Sequence, residues 1–268
     1  MKKRLVGTSA GRGLQQIARW HALRSLPLAN PEQAAATANA ILADQLITRL
    51  CPPGGTFLDI GAHIGSVFSA VHAATPSARI IAIEADPDKA RSLRARFPYC
   101  ALYECAVGEA EGEAVFYRSA GKSGYNSLMP QDSHEQNKVK VQLRPLDALL
   151  PEAQPDVIKM DIEGAELGAL KGGAGLIAQA RPVIMFESMG EGENALGYSP
   201  DGLWDWLDAL DYGICTPDRL AHDAPPLPRE AFLDAHRYPF RTHNYFAVPS
   251  EKREATRDRA RSILNVRV

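Results

Sequence analysis

The chain has 268 residues, of which 45% are hydrophobic and 23% are charged, an ordinary composition for a globular protein built around one large domain. Its formal net charge of −2 argues against a general polyanion binder, since such proteins carry a large positive excess. No run of about 18 apolar residues occurs, and the basic N-terminus has too short an apolar core for a secretion signal. A cytoplasmic protein without a membrane span is therefore expected.

The first fifty residues predict an N-terminal helical extension, residues 1–50. Apolar residues recur at helical spacing in Gly13–Leu26, and the alanine-rich stretch Pro31–Leu50 predicts a second helix that begins at its proline. The breaker "CPPGG" then separates this extension from the rest of the chain.

Residues 51–250 show short apolar runs that alternate with helical segments, which predicts one α/β domain. Among these segments, "ALYECAV" is predicted as a strand and "AELGALKGGAGLIAQA", residues 165–180, as a helix. The predicted fold is a parallel sheet with helices on both faces. Runs such as "RIIAIEA" and "PVIMFES" are apolar almost throughout, as expected for strands buried on both faces. The polar stretch Ala120–Lys138 is expected to form a loop, and residues 251–268 form a charged, helix-prone C-terminal tail.

The four cysteines form no C-x-x-C pair, and no histidine lies at zinc-finger spacing from them. Structural zinc is therefore disfavoured. Free thiols, buried or half-buried, are expected in a reducing compartment.

Acidic residues end or adjoin four of the predicted strands. Ligands of open parallel sheets bind beyond the carboxyl ends of the strands, where these acids gather. The acids are Asp59, Glu84, Asp161 with Glu163, and Glu187. No arginine lies near them in the local sequence. Acids gathered in this way repel one another and destabilise the fold unless a cationic ligand or a metal binds them, so the pattern predicts such a ligand.

The turn after the first predicted strand reads "GAHIG", Gly61 to Gly65, and it is preceded by Asp59. A dinucleotide site needs G-x-G-x-x-G, and a carboxylate beside the turn would repel pyrophosphate. The turn instead suits a ligand that carries an ammonium group and a neutral sugar, with Glu84 placed to grip ribose hydroxyls. S-adenosylmethionine has these parts.

Three stretches, "FLDIGAHIGS", "IIAIEADP" and "ECAVG", resemble the first three motifs of class I S-adenosylmethionine-dependent methyltransferases. The stretch "VIKMDIEGAELGALKGG", followed by "RPVIMFE", resembles the signature of the FkbM-like family, and "KMDIEGAE" is its specific part. The resemblance implies a Rossmann-like α/β fold with a mostly parallel, seven-stranded sheet and helices on both faces. It implies that Asp59, Gly61 and Gly65 form the loop on the methionine side of the cofactor. It also implies that Glu84 binds the ribose, that Ala106 meets the adenine through its backbone, and that Asp161 lies near the sulfonium.

His63 replaces the asparagine that the family turn usually carries, which places an imidazole near the cofactor. The expected reaction is O-methylation of a hydroxyl on a sugar, glycan or other natural product, and a general base would assist it. Asp161, Glu187 and His63 are the main catalytic candidates, and Glu163 and His243 are further possible bases. Asp161 is the first choice, with electrostatic stabilisation of the sulfonium as its alternative role.

A metal-assisted variant stays open, in which Asp161 and Glu187 bind Mg²⁺. Two rival functions also stay open. One is a nucleic-acid or protein methyltransferase on the same fold, although the net charge and the absence of an N-P-P-[YF]-type tetrad disfavour nucleic acid. The other is a non-catalytic, cofactor-binding interaction protein. A homo-oligomer is compatible with the sequence.

Overall fold

The computed structural model describes residues 29–119, 127–129, 136–190 and 192–266, together with a few positions before residue 22, namely 6, 8, 10, 11, 13, 14, 17, 18 and 21. The helices within these ranges are α1 (Ala34–Leu50), α2 (Ser66–Ala74), α3 (Pro87–Arg96), α4 (Leu146–Leu149), α5 (Glu166–Lys171), α6 (Ala174–Ala180), α7 (Pro200–Ala209), α8 (Arg229–Asp234) and α9 (Arg253–Leu264).

The strands of the described residues form a seven-stranded sheet and a three-stranded sheet. They are β1 (Thr56–Ile60), β2 (Arg79–Glu84), β3 (Ala101–Glu104), β4 (Ala106–Val107), β5 (Gly112–Ser119), β6 (Gln136–Arg144), β7 (Val157–Met160), β8 (Val183–Glu187), β9 (Tyr212–Cys215) and β10 (Asn244–Pro249). The large sheet has the order β3-β2-β1-β7-β8-β10-β9, in which β10 is antiparallel to both neighbours and the other pairs are parallel. The predicted mostly parallel, seven-stranded fold is confirmed.

The central strands are covered on both faces, as their continuous apolar character predicts. One core layer contains Leu58 and Ile60 of β1 with Ile158 of β7, and the opposite layer contains Phe57 of β1 and Val157 of β7. Alternate residues of a strand point to opposite faces, so an apolar residue at nearly every position is needed to fill both layers.

The predicted helix Pro31–Leu50 is confirmed as α1, which follows a single 3₁₀ turn at Pro31–Gln33. Its buried face includes Leu46 and Ile47. The C-terminal tail is also helical: α9 packs against α1, and the Arg259 guanidinium donates to the carbonyl of Arg49 at 2.8 Å. The other predicted N-terminal helix, Gly13–Leu26, lies largely outside the described residues.

Three predictions of local structure need correction. The predicted strand "ALYECAV" is divided, because β3 belongs to the large sheet whereas β4 pairs with β6 in the small one. The predicted loop Ala120–Lys138 is too long, since β6 begins at Gln136 and pairs with β5 in an antiparallel ladder. The predicted helix over 165–180 is broken into α5 and α6 at Gly172, where a Cβ atom would overlap the carbonyl oxygen of Gly108.

The four cysteines are free, as predicted: Cys51, Cys105 and Cys215 are buried and Cys100 is partly buried. Burial raises the pKa of the Cys105 thiol to about 11 and that of Cys51 to about 12, so neither is a thiolate at neutral pH. Among the helices of the described residues, none has both the length and the apolar character that a membrane span requires.

Candidate functional site

The candidate site lies where the strand order reverses. From β1 the chain proceeds outward to β2 and β3, and it later returns to place β7 on the other side of β1. Open α/β sheets bind ligands in the crevice at such a point. Here the carboxyl ends of the central strands open into a cavity of about 400 Å³. The sequence-predicted site residues that line it are Gly61, His63, Glu84, Ala106, Asp161, Glu163, Glu187 and His243.

The turn after β1 passes close to β7, and its glycines permit the approach. Gly61 has a φ of 78°, and a Cβ atom there would overlap the backbone carbonyl oxygen of Asp161. Gly65 has a φ of 79° and caps α2, with the side chains of Phe68 and Phe97 packed against it. Gly65 therefore supports the turn from behind, while Gly61 forms part of the cavity wall.

Glu84 ends β2 and is only 3% exposed, yet it lines the cavity. One carboxylate oxygen accepts the backbone N–H of His63 at 2.6 Å, and the other accepts the N–H of Asp86 at 2.8 Å. Burial raises the pKa of this carboxyl group. Because each carboxylate oxygen has a second lone pair, Glu84 can join the two loops and still accept hydrogen bonds from a ligand.

Asp59 lies beneath the cavity and does not line it, since its side chain is fully buried. The ammonium of Lys159 on β7 lies 3.2 Å from its carboxylate and 3.5 Å from that of Asp161. The same ammonium donates to the carbonyl of Gly61 at 2.8 Å. The sequence analysis inferred a cationic ligand or a metal from acids without an arginine nearby, but Lys159 already supplies a compensating positive charge to Asp59 and Asp161.

Lys159 was missed in the sequence, although a signal was present. It is a lysine inside the apolar strand "VIKM", and it is 4% exposed. Lysine is almost never fully buried unless it is paired. Nearby carboxylates raise its pKa despite burial, so the side chain stays charged. A buried lysine one strand away from a buried aspartate therefore predicts an ion pair.

Three carboxyl groups meet at the ends of β7 and β8. The side chains of Asp161, Glu163 and Glu187 have oxygens that all lie within 4.8 Å of one another, a spacing that could hold a metal ion but is also common without one. We call these three residues the carboxyl cluster. Its backbone is unusual, since Glu163 has a φ of 56°, in the left-handed region that non-glycine residues seldom adopt. Such strain is found preferentially at functional sites.

The carboxyl cluster is not uniformly charged. Burial, together with the neighbouring Asp161 charge, raises the pKa of Glu187 to about 9 and that of Glu163 to about 7. The Lys159 ammonium instead holds the pKa of Asp161 below its usual value. A side-chain hydrogen bond joins Glu187 and Asp161, in which the protonated Glu187 is the donor at neutral pH. The cluster can therefore offer both a donor and acceptors to a ligand.

Apolar residues form the opposite part of the cavity wall, and the sequence analysis did not anticipate them. Phe116 of β5 and Leu128 line the cavity, as does Val107 of β4. These positions come from the small sheet and the segment beside it, so the small sheet encloses the end of the cavity nearest β2. Glu166, by contrast, is buried and accepts the backbone N–H of Ile162 at 3.0 Å, which is a structural role.

The comparisons with known proteins agree with this geometry. The model of the methyltransferase FkbM domain matches residues 59–214, which is more than half of the chain. The chain belongs to the FkbM methyltransferase family. The matched region begins within β1 and ends within β9, and it contains every predicted site residue except His243. Membership of this family implies S-adenosylmethionine as the methyl donor. A comparison with curated protein sequences finds no match.

Solved methyltransferase structures resemble this FkbM-family chain at low identity. The methyltransferase FkbM from Methylobacillus flagellatus is 18% identical with a TM-score of 0.44, and the match covers 89% of this chain and 70% of the other. A putative methyltransferase from Thermobifida fusca is 14% identical with a TM-score of 0.43, and covers 92% and 91%. The 1,6-didemethyltoxoflavin-N1-methyltransferase from Burkholderia thailandensis is 16% identical with a TM-score of 0.35, and covers 88% of each.

Proposed function

We propose that this chain transfers a methyl group from S-adenosylmethionine to a hydroxyl oxygen of a sugar, glycan or other natural product. One observation carries the proposal: a single cavity has a buried carboxylate, Glu84, at one end and the carboxyl cluster at the other. Strands in a sheet are about 4.8 Å apart, so the ends of β2 and β8, three strands apart, are separated by roughly 14 Å. That span accommodates a nucleoside and an acceptor side by side.

The residues present fit the cofactor. The cavity volume of about 400 Å³ falls in the range of small-molecule pockets, roughly 300–1,000 Å³. Glu84 has lone pairs left for two ribose hydroxyls, and Phe116 with Leu128 offers an apolar wall beside the backbone of Ala106 for the adenine. His63 and Gly61 lie between these ends, where the methionine part would be held. Asp59 would act indirectly, by fixing Lys159.

S-adenosylmethionine, when bound, supplies a methyl group that its sulfonium makes electrophilic. Asp161 is ionised at neutral pH, because Lys159 lowers its pKa, and its charge would stabilise a cation at the cavity centre. Alignment of the acceptor oxygen by the surrounding walls would contribute most of the remaining rate enhancement. A low pKa makes Asp161 a weak base, so its electrostatic role is favoured over the role of general base.

Glu163 is better suited to remove the acceptor's proton. Its pKa of about 7 lies near the operating pH, where a general base is most effective. Glu187, with a pKa of about 9, is protonated and orients Asp161 through their hydrogen bond. His63 serves through its backbone, which holds Glu84. His243 lines the cavity beside Glu187, and burial lowers the pKa of its imidazole, so a neutral ring faces the acceptor end.

The test is calorimetric titration with S-adenosylmethionine and S-adenosylhomocysteine, followed by a product assay with hydroxylated sugars. We expect micromolar cofactor binding and methyl transfer in wild type. Asp161→Asn should depress turnover more than cofactor affinity, and Glu163→Gln should abolish the rise of kcat through about pH 7. A folded protein that binds neither compound would overturn the proposal and favour a non-catalytic interaction protein.

The Mg²⁺ alternative makes a separate prediction. We propose a reaction that does not require magnesium, in which Glu187 holds Asp161 through their side-chain hydrogen bond and does not bind a metal ion. Turnover should then be the same in EDTA and in millimolar magnesium. A turnover that depends on magnesium and is lost in Glu187→Gln would assign the cluster to the metal.

A further inference from the structure

Three aromatic residues form a ladder that leads from the protein surface to the acceptor end of the cavity. We define the aromatic ladder as Tyr238, Phe240 and His243. The ring centroids of Tyr238 and Phe240 are 5.9 Å apart and nearly perpendicular, at 87°. Those of Phe240 and His243 are 5.3 Å apart and tilted by 49°. His243 itself lines the cavity, so the ladder is continuous with the candidate site.

The ladder is exposed although the backbone that carries it is held in place. Tyr238 is 68% exposed and Phe240 is 37% exposed. Between Phe240 and His243, the carbonyl of Arg241 accepts a hydrogen bond from the side-chain amide of Asn39 at 3.1 Å, and Thr242 is buried. The backbone of this segment is therefore held against the protein, while the rings of Tyr238 and Phe240 remain exposed to solvent. Exposed aromatic surface beside a cavity is typical of a binding site.

The inner end of the ladder adjoins the carboxyl cluster. The backbone carbonyl of His243 accepts the N–H of Ser188 at 2.9 Å, and Asn244 pairs with Glu187 across β10 and β8. A ligand that rests on the ladder would therefore place one edge against Glu187. Met189, which is 48% exposed and also lines the cavity, adds a flexible apolar contact at the same edge.

The aromatic ladder and the carboxyl cluster together favour one kind of ligand. An aromatic face attracts the apolar C–H face of a ring, while carboxyl groups that both donate and accept bind hydroxyls on the ring's edge. We propose that the aromatic ladder stacks a pyranose ring of the acceptor and presents one of its hydroxyls to the carboxyl cluster. This inference rests on the proposed function and narrows it, because it selects a carbohydrate from among the hydroxylated acceptors.

The test measures sugar binding without requiring turnover. Wild type saturated with S-adenosylhomocysteine is mixed with the methyl pyranosides of glucose, galactose, mannose and rhamnose, and saturation-transfer NMR records contact with ring protons. The doubly substituted Tyr238→Ala/Phe240→Ala variant should bind the best pyranoside with an affinity about tenfold lower. Its affinity for S-adenosylhomocysteine should equal that of wild type. Tyr99→Ala is the matched control, since Tyr99 is 41% exposed but stacks on His72 at 3.8 Å, outside the cavity lining.

The outcomes separate this inference from the proposed function. Saturation transfer in wild type and in Tyr99→Ala, but weakened in the double variant, supports the ladder. Equal transfer in the double variant would overturn it. Transfer to a catechol probe and to none of the pyranosides would overturn the carbohydrate assignment, as would the absence of transfer to any probe. If wild type fails to bind S-adenosylhomocysteine, the proposed function is overturned, and the inference that rests on it is overturned with it.

Discussion

Lys159 lies directly opposite Asp59 in the parallel β1–β7 pair, and its ammonium lies 3.2 Å from the Asp59 carboxylate. This pair joins the two strands that flank the switch point, under the floor of the cavity. The same lysine binds the Gly61 carbonyl and Asp161, which belong to the turn and to the cavity wall. One buried cation therefore contacts both the turn after β1 and one member of the carboxyl cluster.

Removal of this cation should be strongly destabilising. Lys159→Met leaves the Asp59 carboxylate buried without its cation, which is expected to lower the free energy of unfolding by about 3–5 kcal/mol. The measurement is urea unfolding followed by circular dichroism. The double variant Asp59→Asn/Lys159→Met removes both charges and should recover part of that loss. Equal stabilities of Lys159→Met and the double variant would contradict this prediction, because they would show that an Asp59 carboxylate without its cation costs the fold nothing.

Gly61→Ala should abolish cofactor binding, because its Cβ atom would overlap the Asp161 carbonyl and displace the turn from β7. Gly54→Ala is a matched control: Gly54 has a φ of 77°, but a Cβ atom there meets open space. The control measures the backbone strain alone, about 1–2 kcal/mol. Titration with S-adenosylhomocysteine should give near wild-type affinity for Gly54→Ala. Tight binding by Gly61→Ala would contradict the close approach of the turn to β7.

Glu84→Gln should weaken binding of S-adenosylhomocysteine by about 10–150-fold, since hydrogen bonds to a charged group contribute about 1.5–3 kcal/mol. Glutamine retains the shape of the side chain, so this change disturbs the loops held by His63 and Asp86 less than alanine would. Calorimetry gives the affinity, and the exposed Glu152→Gln serves as the control for loss of one negative charge. An unchanged affinity in Glu84→Gln would remove Glu84 from the cofactor site.

The free protein should become less stable as pH rises from about 5 to about 9. The pKa values of Glu163 and Glu187 are raised from 4.5 to about 7 and about 9, so the folded state holds protons that the unfolded state has released. The stability that these two groups contribute is fully present below their unfolded-state pKa of 4.5. It is lost as the pH rises through their folded-state pKa values of about 7 and about 9. Each kcal/mol lost should lower Tm by about 2–4 °C.

The matched variant for this pH dependence is Glu187→Gln, which stays neutral at all pH values. Its Tm should decline less than that of wild type between pH 7 and pH 9, as recorded by differential scanning calorimetry in the absence of cofactor. Glu152→Gln should follow the wild-type curve, because Glu152 is exposed. Parallel curves for wild type and Glu187→Gln would indicate that Glu187 titrates normally.

The sequence predicted the large sheet because its central strands are apolar on both faces. Each such strand can be recognised from its own residues, without knowledge of the strands beside it. The sequence also predicted which acids end the strands, including Glu84 and Asp161. What it could not supply were relationships between distant segments. The Asp59–Lys159 pair depends on the register of β1 against β7, and the break at Gly172 depends on contact with Gly108. The small sheet was missed although Val139, Val141 and Leu143 of β6 alternate with polar residues, the pattern of a strand with one exposed face. Its pairing with β4 is another relationship between separate segments.

The contacts of Lys159 also bear on how the protein is made. Its ammonium binds the carbonyls of Ile60 and Gly61, which lie 99 and 98 positions earlier in the chain. At a synthesis rate of about 5–20 residues per second, β7 leaves the ribosome roughly 5–20 s after β1. During this interval the Asp59 carboxylate has no cation to accompany it into an apolar core, so β1 should stay hydrated in the nascent chain. The central sheet can therefore close only after translation has passed Lys159, since β1 pairs with β7 on one side.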